Sequence, residues 1–332
     1  MLENQIKNVS DSRYSLHLNH KAFIMKILIT GGAGYVGTSL VPQLLGKGHK
    51  VHVYDNLLFG GDQILPFFRN PDFKFTRGDI RDIKALRNAT KDADIIIHLA
   101  AIVGYPACRK DPDLAKSVNV DGTQNLIDVT SNNQLILYGS TGSNYGTVED
   151  ICTEESPLNP LSLYGQTKTI AEKMILENRK AIAWRFATAF GVSARLRLDL
   201  LINDFTYKAV TQGYLVVYEK HFMRTFIHVH DMGRTFLFGI DNQKKMVNNV
   251  YNVGSENMNY SKEQICEMIR VKTNAYIHYA DVGEDADKRN YVVSYQKIIK
   301  LGFDTTITVE EGIDELSRVC NAIQFRNPYS NV

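Results

Sequence analysis

The chain predicts a doubly wound α/β fold with a smaller α+β lobe at its C-terminal end, and three observations carry that expectation. From Met25 to about Ala187, short β-branched apolar runs alternate with longer segments whose apolar residues fall at helical spacing. The runs show no polar alternation, which is the pattern of parallel strands covered on both faces. The first run leads directly into a glycine-rich turn and a helical pattern, Thr30-Gly31-Gly32-Ala33-Gly34-Tyr35-Val36-Gly37.

Taken in order, Lys26–Thr30, Val51–Tyr54, Phe73–Arg77, Ile95–Leu99, Leu135–Tyr138 and Ala181–Arg185 read as buried strands. Between them lie helical patterns such as Leu40, Val41, Leu44 and Leu45, which share one face. After about Ala187 the rhythm changes, and Leu215–Tyr218, Phe226–His228 and Val250–Val253 read as short strands mixed with helices. Ser261-x-x-Gln264 and Thr308-x-x-Glu311 each read as a capping box opening a helix. The expected organisation is a polar extension over 1–24, a first domain over 25–187 and a second lobe over 188–332. The cleft between two such lobes is where a ligand is expected.

Composition narrows the function classes. The 332 residues are 44% hydrophobic and 22% charged, which suits a globular protein with a sizeable core. A formal net charge of +2 argues against a dedicated nucleic-acid binder. The apolar stretch Ile95–Tyr105 is interrupted by His98 and is far short of a membrane span. The polar residues before Met25 contain no secretory h-region. Cys108, Cys152, Cys266 and Cys320 are scattered without ligand-like spacing, so no metal site or disulfide framework is expected and a reducing cytoplasm fits. His228-x-His230-Asp231 puts two imidazoles on one strand face, but no third ligand is in register.

The glycine turn is where chemistry first becomes legible. Gly31 suits a tight turn, Gly34 a close approach of backbone to a pyrophosphate, and Gly37 close packing behind the helix. The helix N-terminus adds N–H groups and a positive dipole end. Asp55 ends the second strand, where a carboxylate accepts hydrogen bonds from ribose hydroxyls and repels a 2′-phosphate. This is a Rossmann-type cofactor site that selects NAD. Asn56 beside it offers no cation for a phosphate, and Asp79 in Gly78-Asp79-Ile80 is placed near the adenine.

Tyr164-Gly165-Gln166-Thr167-Lys168 puts a phenol and an ammonium on one helix face. The lysine charge would make the phenol acidic enough to work as a base near neutral pH. The pair follows the fifth strand and the hydroxyl-rich loop Gly139-Ser140-Thr141-Gly142-Ser143-Asn144. With Thr30–Gly37, Asp55, His98-Leu99-Ala100-Ala101, Asn119-Val120-Asp121-Gly122-Thr123 and Arg224-Thr225-Phe226 falling in order, the chain resembles the extended short-chain dehydrogenase/reductases, the nucleotide-sugar epimerase/dehydratase family, over about Met25 to Phe303. The resemblance implies that Tyr164 removes a proton from a sugar hydroxyl, that Lys168 holds the nicotinamide ribose and tunes Tyr164, and that Thr141 hydrogen-bonds the reacting oxygen. It also implies that Tyr35, Val36, Ile80, Leu99, Ala100 and Ala101 line the cofactor cleft, and that the protein is a homodimer or higher homo-oligomer.

Departures from the family pattern matter as much. Family dehydratases follow this Thr with Asp-Glu, whereas this chain has Gly142-Ser143, so elimination lacks its acid and base. Thr188 stands where the family has a substrate-contacting Asn, and Cys108 is on the wrong loop to act as a catalytic thiol. On the substrate side the candidates are Ser143, Thr188, Asn203, Arg224 and Arg289, the arginines as forks for a diphosphate, and the stretch Arg195–Phe205 is expected to border the same cleft. Cys152–Pro157, Arg197–Leu200 and Glu284–Arg289 resemble bacterial GDP-heptose 4-dehydrogenases of capsule pathways. The expected activity is oxidation of a nucleotide sugar at C4. A C4 epimerase using the same residues, a non-enzymatic NAD-sensing module and a reductase of non-nucleotide ketones are the alternatives.

Overall fold

The computed structural model describes residues 24–146, 148, 150–281, 291–325 and 331. Its strands are β1 (Lys26–Thr30), β2 (Lys50–Asp55), β3 (Phe73–Arg77), β4 (Ile95–His98), β5 (Leu135–Thr141), β6 (Ala181–Phe186), β7 (Thr188–Phe190), β8 (Tyr214–Tyr218), β9 (Met223–His228), β10 (Asn249–Val253), β11 (Asn259–Ser261) and β12 (Tyr276–Ala280). Seven of them form one sheet in the order β10-β6-β5-β4-β1-β2-β3, with every neighbouring pair parallel. Apolar residues at consecutive positions leave no face for water. Ile27 and Ile29 of β1 therefore enter one core while Leu28 enters the other, and β4 divides Ile95 and Ile97 from Ile96 in the same way.

A second lobe grows from the carboxyl end of this sheet. It holds the three-stranded β11-β9-β7 sheet and the two-stranded β12-β8 sheet around a separate core that includes Phe190, Ile202, Leu215, Phe226, Ile265 and Ile313. Both capping boxes are formed, opening the helices Lys262–Thr273 and Val309–Ala322.

Two departures from the sequence reading bear on how the lobes are built. β5 runs on to Thr141, because Gly139, Ser140 and Thr141 continue the ladder against Trp184, Arg185 and Phe186 of β6. The polar residues there are held by cross-strand pairing rather than by their own propensity. Secondly, β10 returns from the C-terminal part to pair with β6, so the first sheet draws on chain beyond residue 187. Among the described residues no helix is long and apolar enough to cross a membrane, and all four cysteines are buried free thiols.

Candidate active site

The sheet order reverses at β1, which lies between β2 and β4, and a cleft of about 870 Å³ opens over the carboxyl ends of the strands at that point. The glycine turn forms its floor. Gly31 sits at φ +73°, where an added Cβ would lie 2.5 Å from the Ala100 nitrogen. At Gly37 a Cβ would lie 2.4 Å from the Gly32 carbonyl oxygen, so this glycine packs the helix onto the turn itself. The helix Tyr35–Gly46 has Gly34 at its N-cap and no side-chain cap, which leaves its first-turn N–H groups to a ligand. That arrangement fits the pyrophosphate of a dinucleotide.

At the end of β2 the Asp55 carboxylate accepts from the Ala33 N–H at 3.0 Å and the Leu57 N–H at 2.8 Å. Burial pushes its pKa upward, and those two backbone donors oppose the shift. Asp79 is gripped by Arg81, with contacts of 2.8 and 2.9 Å, which brings its carboxyl down to about 2. Asn56 donates to the same carboxylate at 3.3 Å. Gln63 reaches back from the following loop to donate to the Ala33 carbonyl at 3.0 Å.

The opposite wall carries the phenol and the ammonium. Ser162 caps the helix Leu163–Asn178 by accepting from the Gly165 N–H at 3.1 Å. Lys168 is buried, with its Nζ 4.1 Å from the centre of the Tyr138 ring. Burial brings its pKa down to about 7, against the opposing charge of Glu172. At the mouth of β5, Thr141 Oγ1 accepts from the Ser143 N–H and donates to Ser143 Oγ, each at 3.1 Å. Buried Asn119 fixes the neighbouring loop, with Oδ1 accepting from the Ile102 N–H at 2.7 Å and Nδ2 donating to Thr167 on the helix Leu163–Asn178 at 3.0 Å. Buried His98 lies between Thr30 at 2.7 Å and Thr123 at 3.1 Å, tying β4 to β1 and to the helix Gly122–Val129.

The structure brings nearly all the sequence candidates together. Gly31, Gly34, Tyr35, Val36, Asp55, Asn56, Asp79, Ile80, Leu99, Ala100, Ala101, Thr141, Ser143, Tyr164, Lys168, Thr188 and Arg224 all line the one cleft. Asn203 does not. Its Nδ2 donates to the carbonyls of Arg197 and Gly191, and its Oδ1 accepts from the Gly191 N–H at 3.0 Å. Fully buried, it braces the loop instead of meeting a ligand, together with Tyr35, whose hydroxyl donates to the same Gly191 carbonyl at 2.7 Å. Arg289 lies outside the described residues.

Of three further arginines that line the cleft, Arg195 and Arg197 belong to the stretch expected to border it, and Arg81 gave no sequence signal. Arg81 lines it beside Asp79, to which it is paired at 2.8 Å. Arg197 forks onto Asp199 at 2.6 Å, and Arg195 lies 4.4 Å from the Phe59 ring, joining the loop after β2 to the second lobe. His228 is engaged by Glu315 at 2.9 Å and accepts from the His230 N–H at 3.2 Å. Among the described residues no cluster of three metal-ligating side chains occurs.

A dinucleotide cleft at a sheet switch point, with a Tyr-x-x-x-Lys helix on its wall, defines an oxidoreductase of the extended short-chain dehydrogenase/reductase type. The model of the NAD dependent epimerase/dehydratase family matches residues 27–254, and the chain belongs to that family. It is an enzyme, and its cofactor is NAD. The low-salt glycan biosynthesis protein Agl12 of Haloferax volcanii is 28% identical over 306 residues, covering 87% of this chain and 96% of that protein. A putative UDP-glucose 4-epimerase of Methanocaldococcus jannaschii is 26% identical, covering 91% and 99%. Among solved structures, the UDP-glucuronic acid 4-epimerase of Bacillus cereus, in complex with UDP-glucuronic acid and NAD, superposes with a TM-score of 0.81 at 23% identity, covering 90% of this chain and 99% of that one.

Cofactor choice gives a direct test of Asp55. NAD should bind more tightly than NADP, and Asp55→Ala should narrow that difference by about tenfold, the equivalent of one hydrogen bond to a charged group. Calorimetric titration with both dinucleotides measures it. Equal affinity of the unaltered protein for the two would remove Asp55 from this role.

Proposed function

We propose that the enzyme oxidises a ring hydroxyl, at C4, of a nucleotide-activated sugar, reversibly and with NAD. The observation that carries this reading is one cleft lined by the glycine turn, by Tyr164 and Lys168, and by Thr141 and Ser143. Tyr164 takes the hydroxyl proton, Lys168 keeps that phenol acidic and holds the nicotinamide ribose, and Thr141 hydrogen-bonds the reacting oxygen. Bound NAD supplies the hydride acceptor. Arg224, buried at the far end of the cleft, is the contact for the diphosphate, with Arg195 and Arg197 beside it. Residues 25–187 serve mainly the cofactor and 188–332 mainly the nucleotide sugar.

Position 142 supports oxidation without elimination. Gly142 carries no side chain to act as acid, and a Cβ there would lie 3.3 Å from the Tyr291 hydroxyl and 3.4 Å from the Phe186 carbonyl oxygen, so the position is closely bounded. Incubation with UDP- or GDP-hexoses is therefore expected to give no 4-keto-6-deoxy sugar. Detection of that product by NMR would show an acid/base pair elsewhere in the cleft.

For the sugar itself, we propose a GDP-linked heptose or hexose used in surface-polysaccharide synthesis, on the resemblance of Cys152–Pro157 and Arg197–Leu200 to GDP-heptose 4-dehydrogenases. A C4 epimerase is the second reading, favoured by the relatives named as UDP-glucose 4-epimerases. A panel of UDP-glucose, UDP-glucuronic acid, GDP-mannose and GDP-heptose separates the two. NADH absorbance with a 4-keto product marks net oxidation, whereas inversion at C4 without net NADH marks epimerisation. No reaction at C4 of any of these sugars would overturn the proposal.

A further inference from the structure

Glu172 lies one turn beyond Lys168 and two beyond Tyr164 on the helix Leu163–Asn178, behind the cleft wall and not in its lining. Its side chain is 4% exposed and pairs with Arg185 of β6, itself 6% exposed. Glu172 Oε1 accepts from Arg185 Nη2 at 2.6 Å and Nε at 3.1 Å. Its Oε2 accepts from the Ser140 hydroxyl at 2.6 Å and from Asn144 Nδ2 at 3.2 Å. A buried ion pair is weak evidence for stability, since apolar residues of similar volume often serve as well. The placement of this one points to another use.

Ser140 immediately precedes Thr141, and Asn144 immediately follows Ser143. One carboxylate therefore holds both ends of the turn that presents Thr141 and Ser143 to the cleft. The same carboxylate faces Lys168 along the helix. The other groups around Lys168 are Tyr164 on its own helix, Tyr138 of β5, His98 of β4 and Cys108 of the helix Tyr105–Lys110. Burial holds the His98 imidazole down to about 3 and the Cys108 thiol up to about 11, so neither carries charge near neutral pH. Burial raises the Tyr138 phenol as well. Glu172 is the carboxylate within this set, and its charge favours the protonated lysine.

We propose that Glu172 is a positioning residue which keeps the Lys168 ammonium charged beneath Tyr164 and clamps the 140–144 turn to the catalytic helix, so that the acidity of Tyr164 depends on it. This rests on Tyr164 as the proton acceptor of the proposed reaction.

The test needs no sugar. The NAD-loaded protein is titrated with base while tyrosinate absorbance is followed, and the same titration of Tyr164→Phe is subtracted to isolate Tyr164. In Glu172→Gln the Tyr164 titration should move upward by about one pH unit or more, the usual effect of a nearby charge transmitted through Lys168. Because Glu172→Gln leaves Arg185 unpaired, Glu172→Gln/Arg185→Met removes both charges and keeps the site filled. The upward shift should persist in that double variant, which a merely structural role for Glu172 would not produce. A Tyr164 titration unchanged in the folded double variant overturns the proposal while leaving Tyr164 as base. Absence of any Tyr164 step from the NAD-loaded unaltered protein overturns both.

Discussion

Tyr164→Phe is expected to lower turnover by ~10²–10⁴-fold, the usual cost of losing a positioned general base, while NAD affinity stays nearly unchanged. The contrast follows from where the side chain lies. Tyr164 and Lys168 project from the same helix face, but Lys168 is the buried partner, packed on the Tyr138 ring. Removing the hydroxyl leaves that packing and the glycine turn intact. Lys168→Met should instead impair both NAD binding and rate, because in the proposed reaction one ammonium serves the ribose and the phenol. Thr141→Ala should do less than either, since its hydroxyl supplies one neutral hydrogen bond, worth about 0.5–1.5 kcal/mol. Calorimetry for NAD and product formation by NMR for the sugar separate the two effects. A Tyr164→Phe enzyme with undiminished turnover would transfer the base to another residue.

Legibility in the sequence followed the distance over which each feature is determined. The glycine turn could be read because strand, turn and helix are consecutive, and the Tyr164–Lys168 pair because helical spacing alone puts them on one face. Asn203 and Arg197 mark the limit. Both fall in the segment expected to border the cleft, but which of them faces it depends on how Gly191 and Tyr35 pack against the helix Leu201–Gln212. That contact joins residues far apart in the chain. The same holds for β10, whose pairing with β6 no local pattern announces, and for Glu172, which reads as one more polar helix position until Arg185, Ser140 and Asn144 converge on it. The short acid-paired arginine Arg81 was hidden for a different reason, because a charged residue in a turn ordinarily faces water.

Gly31→Ala should be as damaging as the loss of the base, through the fold instead of the chemistry. Gly31 holds φ at +73°, and its N–H donates to the Tyr54 carbonyl at 2.9 Å, pinning the turn to β2. An alanine in that conformation costs about 1–2 kcal/mol. Its Cβ would also press on backbone, 2.5 Å from the Ala100 nitrogen and 2.8 Å from the Leu99 carbonyl carbon. That backbone cannot withdraw freely, because the Leu99 N–H is bonded to the Thr30 carbonyl at 2.9 Å. Overpacking of this kind adds about 1–3 kcal/mol, so a total loss of about 2–5 kcal/mol is expected from the two together. Gly34→Ala provides the contrast. There the only atom near an added Cβ is the Gly31 carbonyl oxygen at 3.2 Å, and the residue lines the cleft. Its stability should change little while NAD affinity falls, because the new methyl group occupies the approach to the pyrophosphate. Urea denaturation and NAD calorimetry on the two variants read these effects separately. If Gly31→Ala unfolded at the same urea concentration as the unaltered protein, the β1 turn would have to be more compliant than its contacts with β2 and β4 allow.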